Sequence, residues 1–139
     1  MPSVYAKPLP AADELTQPFW DGCKAHELRM QRCTRCATYI FFPSPMCQAC
    51  NGTEFRWERL SGRGTVYSFI VVYQATIPGF AQDVPYVVAW VELAEQRGLK
   101  MVSNVVGCRP EDVLAGMAVE VVFEDATLEL TLPKFRPVK

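Results

Sequence analysis

The sequence predicts a mainly β protein with an N-terminal helix, a small metal-organised ribbon and a five-stranded barrel. Three observations carry this prediction: two closely spaced Cys-x-x-Cys pairs, a series of short strand-like runs in the second half, and a helical pattern near the start. The 139 residues are enough for one compact unit or two small lobes, and 50% hydrophobic residues supply the side chains of a core.

The helix is predicted within residues 11–25, after an extended tail, residues 1–10, that carries three prolines. Apolar side chains recur at four-residue intervals in this stretch, at Leu15, Phe19 and Cys23. Thr16 is a suitable cap, and Pro18 would lie in the first turn, where its missing N–H costs nothing. We expect one short helix here.

The ribbon is predicted from the cysteine spacing. A strand-like alternation over residues 27–32 leads into the first pair, and ten residues separate the two pairs. Two tight turns of this kind place four thiolates around one ion in a closed tetrahedron, which predicts a structural and non-catalytic zinc site. Iron in the same cage is an alternative, and disulfides are disfavoured by the paired spacing. The predicted ligands are Cys33, Cys36, Cys47 and Cys50.

The barrel follows a flexible turn at residues 61–64. Residues 110–114 are the only helical candidate in this half, and a single helical turn between the third and fourth strands suggests an OB-fold barrel. The predicted strands are residues 65–73, 86–93, 99–106, 119–123 and 128–132. We therefore divide the chain into a tail and helix (1–27), a zinc ribbon (28–60) and an OB-fold (61–139).

The charge balance argues against a general nucleic-acid role. The net charge is -1, and residues 61–139 hold seven Lys or Arg against nine Asp or Glu, a balance of 7 - 9 = -2. The longest uncharged run, residues 64–82, is interrupted by Pro78 and Gly79, so we expect neither a membrane span nor a membrane partner. The start lacks an export signal, which predicts a cytoplasmic protein with reduced thiols.

Groups that could carry catalysis are scarce. His26 is the only histidine, and Cys23 and Cys108 are the two cysteines outside the predicted metal site. A nucleophilic thiol needs a base or a positive environment, and the sequence supplies little of either. We therefore expect no catalytic residue.

Three residues outside the metal site stand out as candidates for ligand or partner binding, together with one loop. Arg63 lies between two glycines, which would let the backbone approach an anion closely, although a plain turn explains the same pattern. Phe19 and Trp20 are adjacent on the predicted helix, so one of them is free to act as a partner anchor. The loop at residues 76–81 exposes Ile77 and Phe80 unless a partner covers them.

The ordered motifs resemble those of the DUF35 family, which pairs a rubredoxin-like zinc ribbon with an OB-fold and is described as acyl-CoA-associated. The resemblance covers nearly the whole chain. It runs through Pro18-Phe19-Trp20-Asp21-Gly22, Leu28-Arg29-Met30-Gln31-Arg32, the two cysteine pairs, Phe42-Pro43, Ser61-Gly62-Arg63-Gly64-Thr65-Val66-Tyr67-Ser68, Pro85-Tyr86-Val87-Val88, Gly116-Met117-Ala118-Val119-Glu120-Val121 and Phe135-Arg136-Pro137.

The resemblance implies a small accessory subunit in a hetero-oligomer with a thiolase or a lipid-transfer-protein-like aldolase, which stabilises that enzyme and helps to hold or channel an acyl-CoA, for example of a steroid or fatty acyl side chain. It also draws Arg136 into the candidate site. One departure is visible: family ribbons often place glycine after the second cysteine of a pair, whereas Ala37 and Asn51 stand here. We expect the first turn to be strained or differently shaped.

Two other functions remain as alternatives at this point. The first is a single-stranded nucleic-acid-binding protein, because zinc ribbons and OB-folds both serve that purpose. The second is a self-sufficient acyl-CoA thioesterase or acyltransferase that uses Cys108 or His26.

Overall fold

The computed structural model describes residues 10–74, 79 and 83–138. In chain order these residues form one helix, three ribbon strands and five barrel strands. The bounds are α1 Gln17–Lys24, β1 Arg29–Cys33, β2 Tyr39–Ile40, β3 Phe55–Arg59, β4 Arg63–Val72, β5 Tyr86–Leu93, β6 Lys100–Val105, β7 Ala118–Asp125 and β8 Thr131–Pro137, with a 3-10 turn at Pro110–Asp112 between β6 and β7. The predicted mainly β class is confirmed.

The helix is shorter than the predicted range, 11–25, because a turn precedes it. Asp13 and Thr16 bond each other: the Thr16 amide donates to Asp13 Oδ1 at 2.8 Å and the Asp13 amide donates to Thr16 Oγ1 at 3.0 Å. Thr16 occupies the cap position, but its side chain bonds to the preceding turn instead of the helix. The helix ends where His26 takes a left-handed φ of 59° and the Glu27 amide donates to the Gly22 carbonyl at 2.8 Å.

The ribbon is a three-stranded antiparallel sheet in the order β2-β1-β3. Gln31 of β1 stands opposite Ile40 on one side and Trp57 on the other. The ribbon carries a small core of its own, in which Cys33, Ile40 and Cys47 are buried together. Such a core is too small to fold a segment of this length, which is why a metal ion would matter here.

The second half closes into a five-stranded barrel in the order β4-β5-β6-β8-β7, and β4 pairs with β7 to complete it. A bulge between Val66 and Ser68 bends β4, which is long enough to pair with both of its neighbours. The predicted fifth strand, 128–132, is present but displaced, and only its last two residues lie in β8. Residues 127–130 form a turn in which the Leu130 amide donates to Thr127 Oγ1, and β8 begins only at Thr131.

One hydrophobic core joins the barrel to the start of the chain. Phe19 of α1, Leu28 just before β1, Met30 of β1 and Phe135 of β8 belong to the same buried cluster. The helix and the first ribbon strand therefore pack on the barrel as part of its core. Among the described residues, no helix is long and apolar enough to cross a membrane.

Candidate metal centre and ligand groove

The four predicted cysteine ligands meet at one point. Their sulfurs all lie within 4.8 Å of one another, with Cys33 Sγ 3.6 Å from Cys50 Sγ and Cys36 Sγ 3.5 Å from Cys47 Sγ. A tetrahedron with Zn–S bonds of about 2.3 Å has edges of about 3.8 Å, so this spacing suits a four-sulfur metal site.

The two cysteine turns have the same backbone construction. In each, the residue after the second cysteine donates its amide to the carbonyl of the first: Ala37 to Cys33 at 2.9 Å, and Asn51 to Cys47 at 2.8 Å. Both residues take left-handed backbone angles, with φ of 64° at Ala37 and 62° at Asn51. The expected difference in shape at the first turn is wrong, and Ala37 bears a steric cost that asparagine tolerates and glycine would avoid.

The chemistry of the donor set fits a soft cation. The Gly52 amide donates to Cys50 Sγ at 3.4 Å, an arrangement that favours a thiolate, and a Cβ at Gly52 would lie only 3.2 Å from that sulfur. The hydrogen bond with Thr38 is the largest cause that lowers the pKa of Cys36 to about 6. Sulfurs this close to one another become thiolates together only when a cation balances their charge.

A groove of about 690 Å³ lies between the N-terminal part of the chain and the barrel. Helix α1 and the segment after β2 form one wall, and strands β6 and β8 form the other. Aromatic side chains dominate the lining: Phe19, Trp20, Phe41, Phe42 and Trp90. The rings of the first wall contact one another, with Phe19 5.0 Å from Trp20 and 5.5 Å from Phe41.

Two lysines add positive charge to this apolar groove. Lys134 is largely buried, with 17% of its side chain exposed, and its Nζ lies 2.5 Å from Glu124 Oε2. Lys100 lies near the opening, where its Nζ is 3.6 Å from the centre of the Tyr67 ring. The groove thus offers an apolar surface with ammonium groups beside it, which suits a ligand that has an apolar part and an anionic part.

The structure separates the candidate binding residues. Phe19 and Trp20 line the groove, although Phe19 is mostly a core residue, 2% exposed. Arg63 and Arg136 line a different cavity of about 750 Å³, together with Cys108 and Glu120. Arg136 Nε donates to Glu120 Oε1 there at 3.1 Å. Ile77 and Phe80 lie outside the described residues.

The glycines beside Arg63 serve the packing of the barrel. A Cβ at Gly62, whose φ is +80°, would lie 2.3 Å from Val121 Cγ1, and a Cβ at Gly64 would lie 2.5 Å from the Glu92 carbonyl oxygen. Close approach of neighbouring strands therefore explains this pattern without a ligand. Arg63 itself is exposed at the edge of the second cavity.

The two remaining cysteines are not activated. Cys23 is fully buried, and desolvation raises the pKa of its thiol to about 12. Burial, followed by the nearby Asp112 carboxylate, raises the pKa of Cys108 as well. His26 stacks on Phe123 at 5.2 Å, and its Nε2 lies 3.0 Å from Asp125 Oδ1. The described residues therefore give neither thiol a base.

Sequence reasoning missed much of the groove. The sequence predicts no binding role for Phe41, Phe42, Trp90, Lys100 or Lys134, all of which line the groove. A signal was present for two of them, because Phe42 ends an apolar run at residues 39–42 and Trp90 interrupts a valine-rich strand. Only the packing of the ribbon segment against β6 and β8 brings these residues to one groove.

The ribbon, with its four-cysteine cluster, and the closed barrel define a two-part protein of the zinc-ribbon and OB-fold class. Two family models match in the same order: the ChsH2 rubredoxin-like zinc ribbon domain over residues 20–56, and the ChsH2 C-terminal OB-fold domain over residues 57–124. The chain belongs to the DUF35 family of zinc-ribbon and OB-fold proteins.

Three relatives illustrate the similarity. A probable enoyl-CoA hydratase alpha subunit of Thermomonospora curvata is 38% identical over 94% of this chain, which spans 40% of that protein. A DUF35 domain-containing scaffold protein of Methanocaldococcus jannaschii is 45% identical over 66% of this chain and 64% of its own length. Among solved structures, a chain of the Ltp2-ChsH2(DUF35) aldolase is 38% identical with a TM-score of 0.83, over 93% of this chain and 98% of that one.

Proposed function

We propose that this chain is a non-catalytic accessory subunit that binds a thiolase-superfamily enzyme, either a thiolase or a lipid-transfer-protein-like aldolase, and helps to stabilise it and to hold or channel its acyl-CoA substrate. The observation that carries the proposal is the aromatic groove with its two lysines. We place the complex in the cytoplasm, in the metabolism of steroid or fatty acyl side chains.

The groove suits an acyl-CoA for three reasons. Its volume of about 690 Å³ lies within the range of small-molecule sites. The rings of Trp20 and Phe42 offer apolar surface to an acyl chain. Lys100, near the opening, offers positive charge to the phosphates of CoA, whereas the charge of Lys134 is already balanced by Glu124. The groove opens to solvent at Phe42, which is 57% exposed, so a ligand can enter it.

The names of the relatives support the role in a complex. One similar chain is part of an aldolase assembled from Ltp2 and ChsH2, another relative is a scaffold protein, and a third is a hydratase subunit that acts on a CoA ester. Since the described residues give Cys23 and Cys108 no activating base, we assign the chemistry to the larger partner.

We further propose that Cys33, Cys36, Cys47 and Cys50 hold a structural zinc ion, which supplies the folding energy that the small ribbon core lacks. The divisions 1–27, 28–60 and 61–139 remain our proposal for the functional parts of the chain. Phe19, Leu28 and Met30 belong to the same core as the barrel. The helix and the ribbon therefore pack directly on the OB-fold.

The metal proposal predicts one zinc ion per chain by elemental analysis. Removal with a chelator should abolish amide protection at Cys47 and Asn51, whose hydrogen bonds belong to the second cysteine turn. Amides of β5, in the barrel, should keep most of their protection and serve as the internal control. A metal-free protein with a protected ribbon would contradict the proposal, and iron in place of zinc would correct it.

The ligand proposal is tested by calorimetric titration with octanoyl-CoA and with free CoA. Phe42→Ala removes an exposed ring of the groove, and we expect it to weaken octanoyl-CoA binding about tenfold while changing CoA binding less, because the ring contacts the acyl part. Arg63→Ala, in the second cavity, is the matched control. Equal affinity of the wild type and Phe42→Ala for octanoyl-CoA would rule out this groove, and loss with Arg63→Ala alone would move the site to the other cavity.

The partner proposal is tested by mixing the purified chain with Ltp2, followed by sedimentation and aldolase assays. We expect a stable complex, and a partner that loses solubility or activity when this chain is withheld. A partner that is fully stable and active alone would contradict the stabilising role.

A further inference from the structure

The outer surface of strands β4, β5 and β6 is unusually apolar for a solvent-facing sheet. Four large side chains point away from the barrel there, with Tyr67 53% exposed, Ile70 62%, Trp90 48% and Val102 58%. We call these four residues the β4–β6 outer face. On β5 and β6 this exposure follows from alternation, because neighbouring residues such as Ala89, Val91 and Met101 are buried in the core. On β4 the bulge between Val66 and Ser68 shifts the alternation, so that Tyr67 and Ile70, three residues apart, are both exposed.

The four residues form one continuous patch. Trp90 stands opposite Ser68 of β4 and opposite Val102 of β6, and Ile70 stands opposite Val88 on the next row. The Tyr67 ring lies 6.4 Å from the Trp90 ring. Half-exposed aromatic and branched side chains of this number offer on the order of 400 Å² of apolar area. Patches of that size are often functional, and a standard protein interface takes about 800 Å² from each partner.

The charge of the face favours a protein over a nucleic acid. Lys100, which borders the face, lies 3.6 Å from the Tyr67 ring centre and 5.4 Å from that of Trp90. The ammonium therefore occupies the ring surface on which a base would stack. A nearly neutral apolar face of this kind matches an apolar surface of another protein.

The face is also continuous with the ligand groove. Trp90, Lys100 and Val102 line the groove and belong to, or border, the outer face. A protein bound on the face would therefore also contact the rim of the groove, at which Phe42 lies exposed on the opposite wall. The rim supplies further contact area beyond the four residues.

We propose that the β4–β6 outer face is the docking surface for the larger enzyme subunit, and that this subunit completes the open side of the groove. The inference rests on the proposed function, to which it adds the place of contact. In the complex, Ile70 and Val102 lie in the centre of the interface, and the acyl-CoA passes between the groove and the partner without crossing bulk solvent.

The test uses Ile70→Lys, which places a charge at the centre of the face without altering a groove residue. We expect the dissociation constant of the complex with Ltp2 to rise about 30-fold or more, because a desolvated charge at an interface centre costs that much. Leu128→Lys is the matched control, since Leu128 is 93% exposed on the turn between β7 and β8 and belongs to none of the three strands of the face. Val102→Lys provides a second variant, and thermal unfolding verifies that all three proteins are folded.

Each outcome decides the proposal. Loss of binding in Ile70→Lys and Val102→Lys, with normal binding of Leu128→Lys, supports it. Wild-type affinity in both face variants overturns the docking surface and leaves the proposed function intact. Absence of binding by the wild type overturns both. Two further outcomes would overturn the proposal by assigning the face to a different occupant. In the first, the wild type self-associates and Ile70→Lys does not. In the second, the wild type binds an oligonucleotide and Ile70→Lys does not.

Discussion

At the scale of single residues, the metal site depends on two backbone positions as much as on its four sulfurs. Ala37 and Asn51 turn the chain back with left-handed φ angles, so that the preceding cysteines face inward. Asparagine takes this conformation at low cost, whereas the Cβ of alanine meets the backbone. The first cysteine turn thus stores strain that the second does not.

Replacement of this alanine by glycine should relieve the strain. We expect Ala37→Gly to raise the free energy of unfolding of the metal-bound protein by about 0.5–1 kcal/mol, since the gain exceeds the added entropy of the unfolded chain. Denaturant unfolding measures the change. Ala49→Gly is the control, because Ala49 is also exposed and lies between the second pair of cysteines, but does not have a positive φ. This variant should be less stable than the wild type, since glycine adds entropy to the unfolded chain without relieving strain. Destabilisation by both changes would show that Ala37 is unstrained.

At the scale of elements, one carboxylate joins the three ribbon strands. Glu58 of β3 accepts from Arg32 of β1 at 2.9 Å and from the Tyr39 hydroxyl of β2 at 2.9 Å, and Arg56 lies 2.8 Å away. The Arg32 hydrogen bond, followed by that of Tyr39, holds the pKa of Glu58 below its usual value. The network supports the ribbon sheet in addition to the four-cysteine cluster.

This lowered pKa predicts a pH dependence. A carboxylate whose pKa is lower in the folded state contributes stability above its unfolded pKa of about 4.3, and that stability is lost as the pH falls through the folded value. Glu58→Gln should therefore be less stable than the wild type at pH 7, and the difference should shrink as the pH falls from about 5 to 3. Unfolding midpoints measured across this range test the prediction, with Glu14→Gln as a control for net charge. A constant difference at every pH would contradict it.

At the scale of the whole molecule, the ribbon and barrel are connected by polar contacts as well as by the common core. The Gln96 side chain, on the turn between β5 and β6, accepts from the Tyr39 amide at 2.8 Å and donates to the Tyr39 carbonyl at 3.0 Å. His26 joins the end of the helix to Asp125 of β7. These contacts fix one wall of the groove relative to the other, since α1 and the segment after β2 lie on the ribbon side.

Loss of the Gln96 contacts should loosen the groove. We expect Gln96→Ala to destabilise the protein by about 1–2 kcal/mol, because it leaves two backbone groups of Tyr39 without their partner. Gln96→Glu should be at least as harmful, since a carboxylate accepts from the amide but repels the carbonyl. Hydrogen exchange at the Tyr39 amide and octanoyl-CoA affinity measure the two consequences. Unchanged exchange in both variants would show that the contact is dispensable.

The residues of the four-cysteine cluster are predictable from the sequence, whereas most residues of the groove are not. The spacing of the four cysteines is enough to predict that their sulfurs meet, since the geometry of two short turns depends only on neighbouring residues. Arg63 illustrates the opposite case. Its flanking glycines suggested an anion site, but Gly62 and Gly64 are required by Val121 and by the Glu92 carbonyl, which are distant in sequence.

The start of the fifth barrel strand also depends on residues that are distant in sequence. The alternation of leucines at residues 128–132 favours a strand, but barrel closure decides where β8 begins, because its residues must pair with β7 from Asp125 opposite Thr131. Leu128 is left 93% exposed on the turn as a result. Pattern alone cannot locate a strand whose partners are set by closure.

The sequence by itself determined the mainly β class and the four-cysteine cluster, because both depend on residue type and short-range spacing. Only the tertiary structure decided that Phe42, Trp90 and Lys134 share a groove, and that Arg63 and Arg136 lie in another cavity. The physical reason is that a groove forms between two surfaces that packing brings together. The packing of the ribbon side on the barrel depends on contacts between residues that are far apart in the chain.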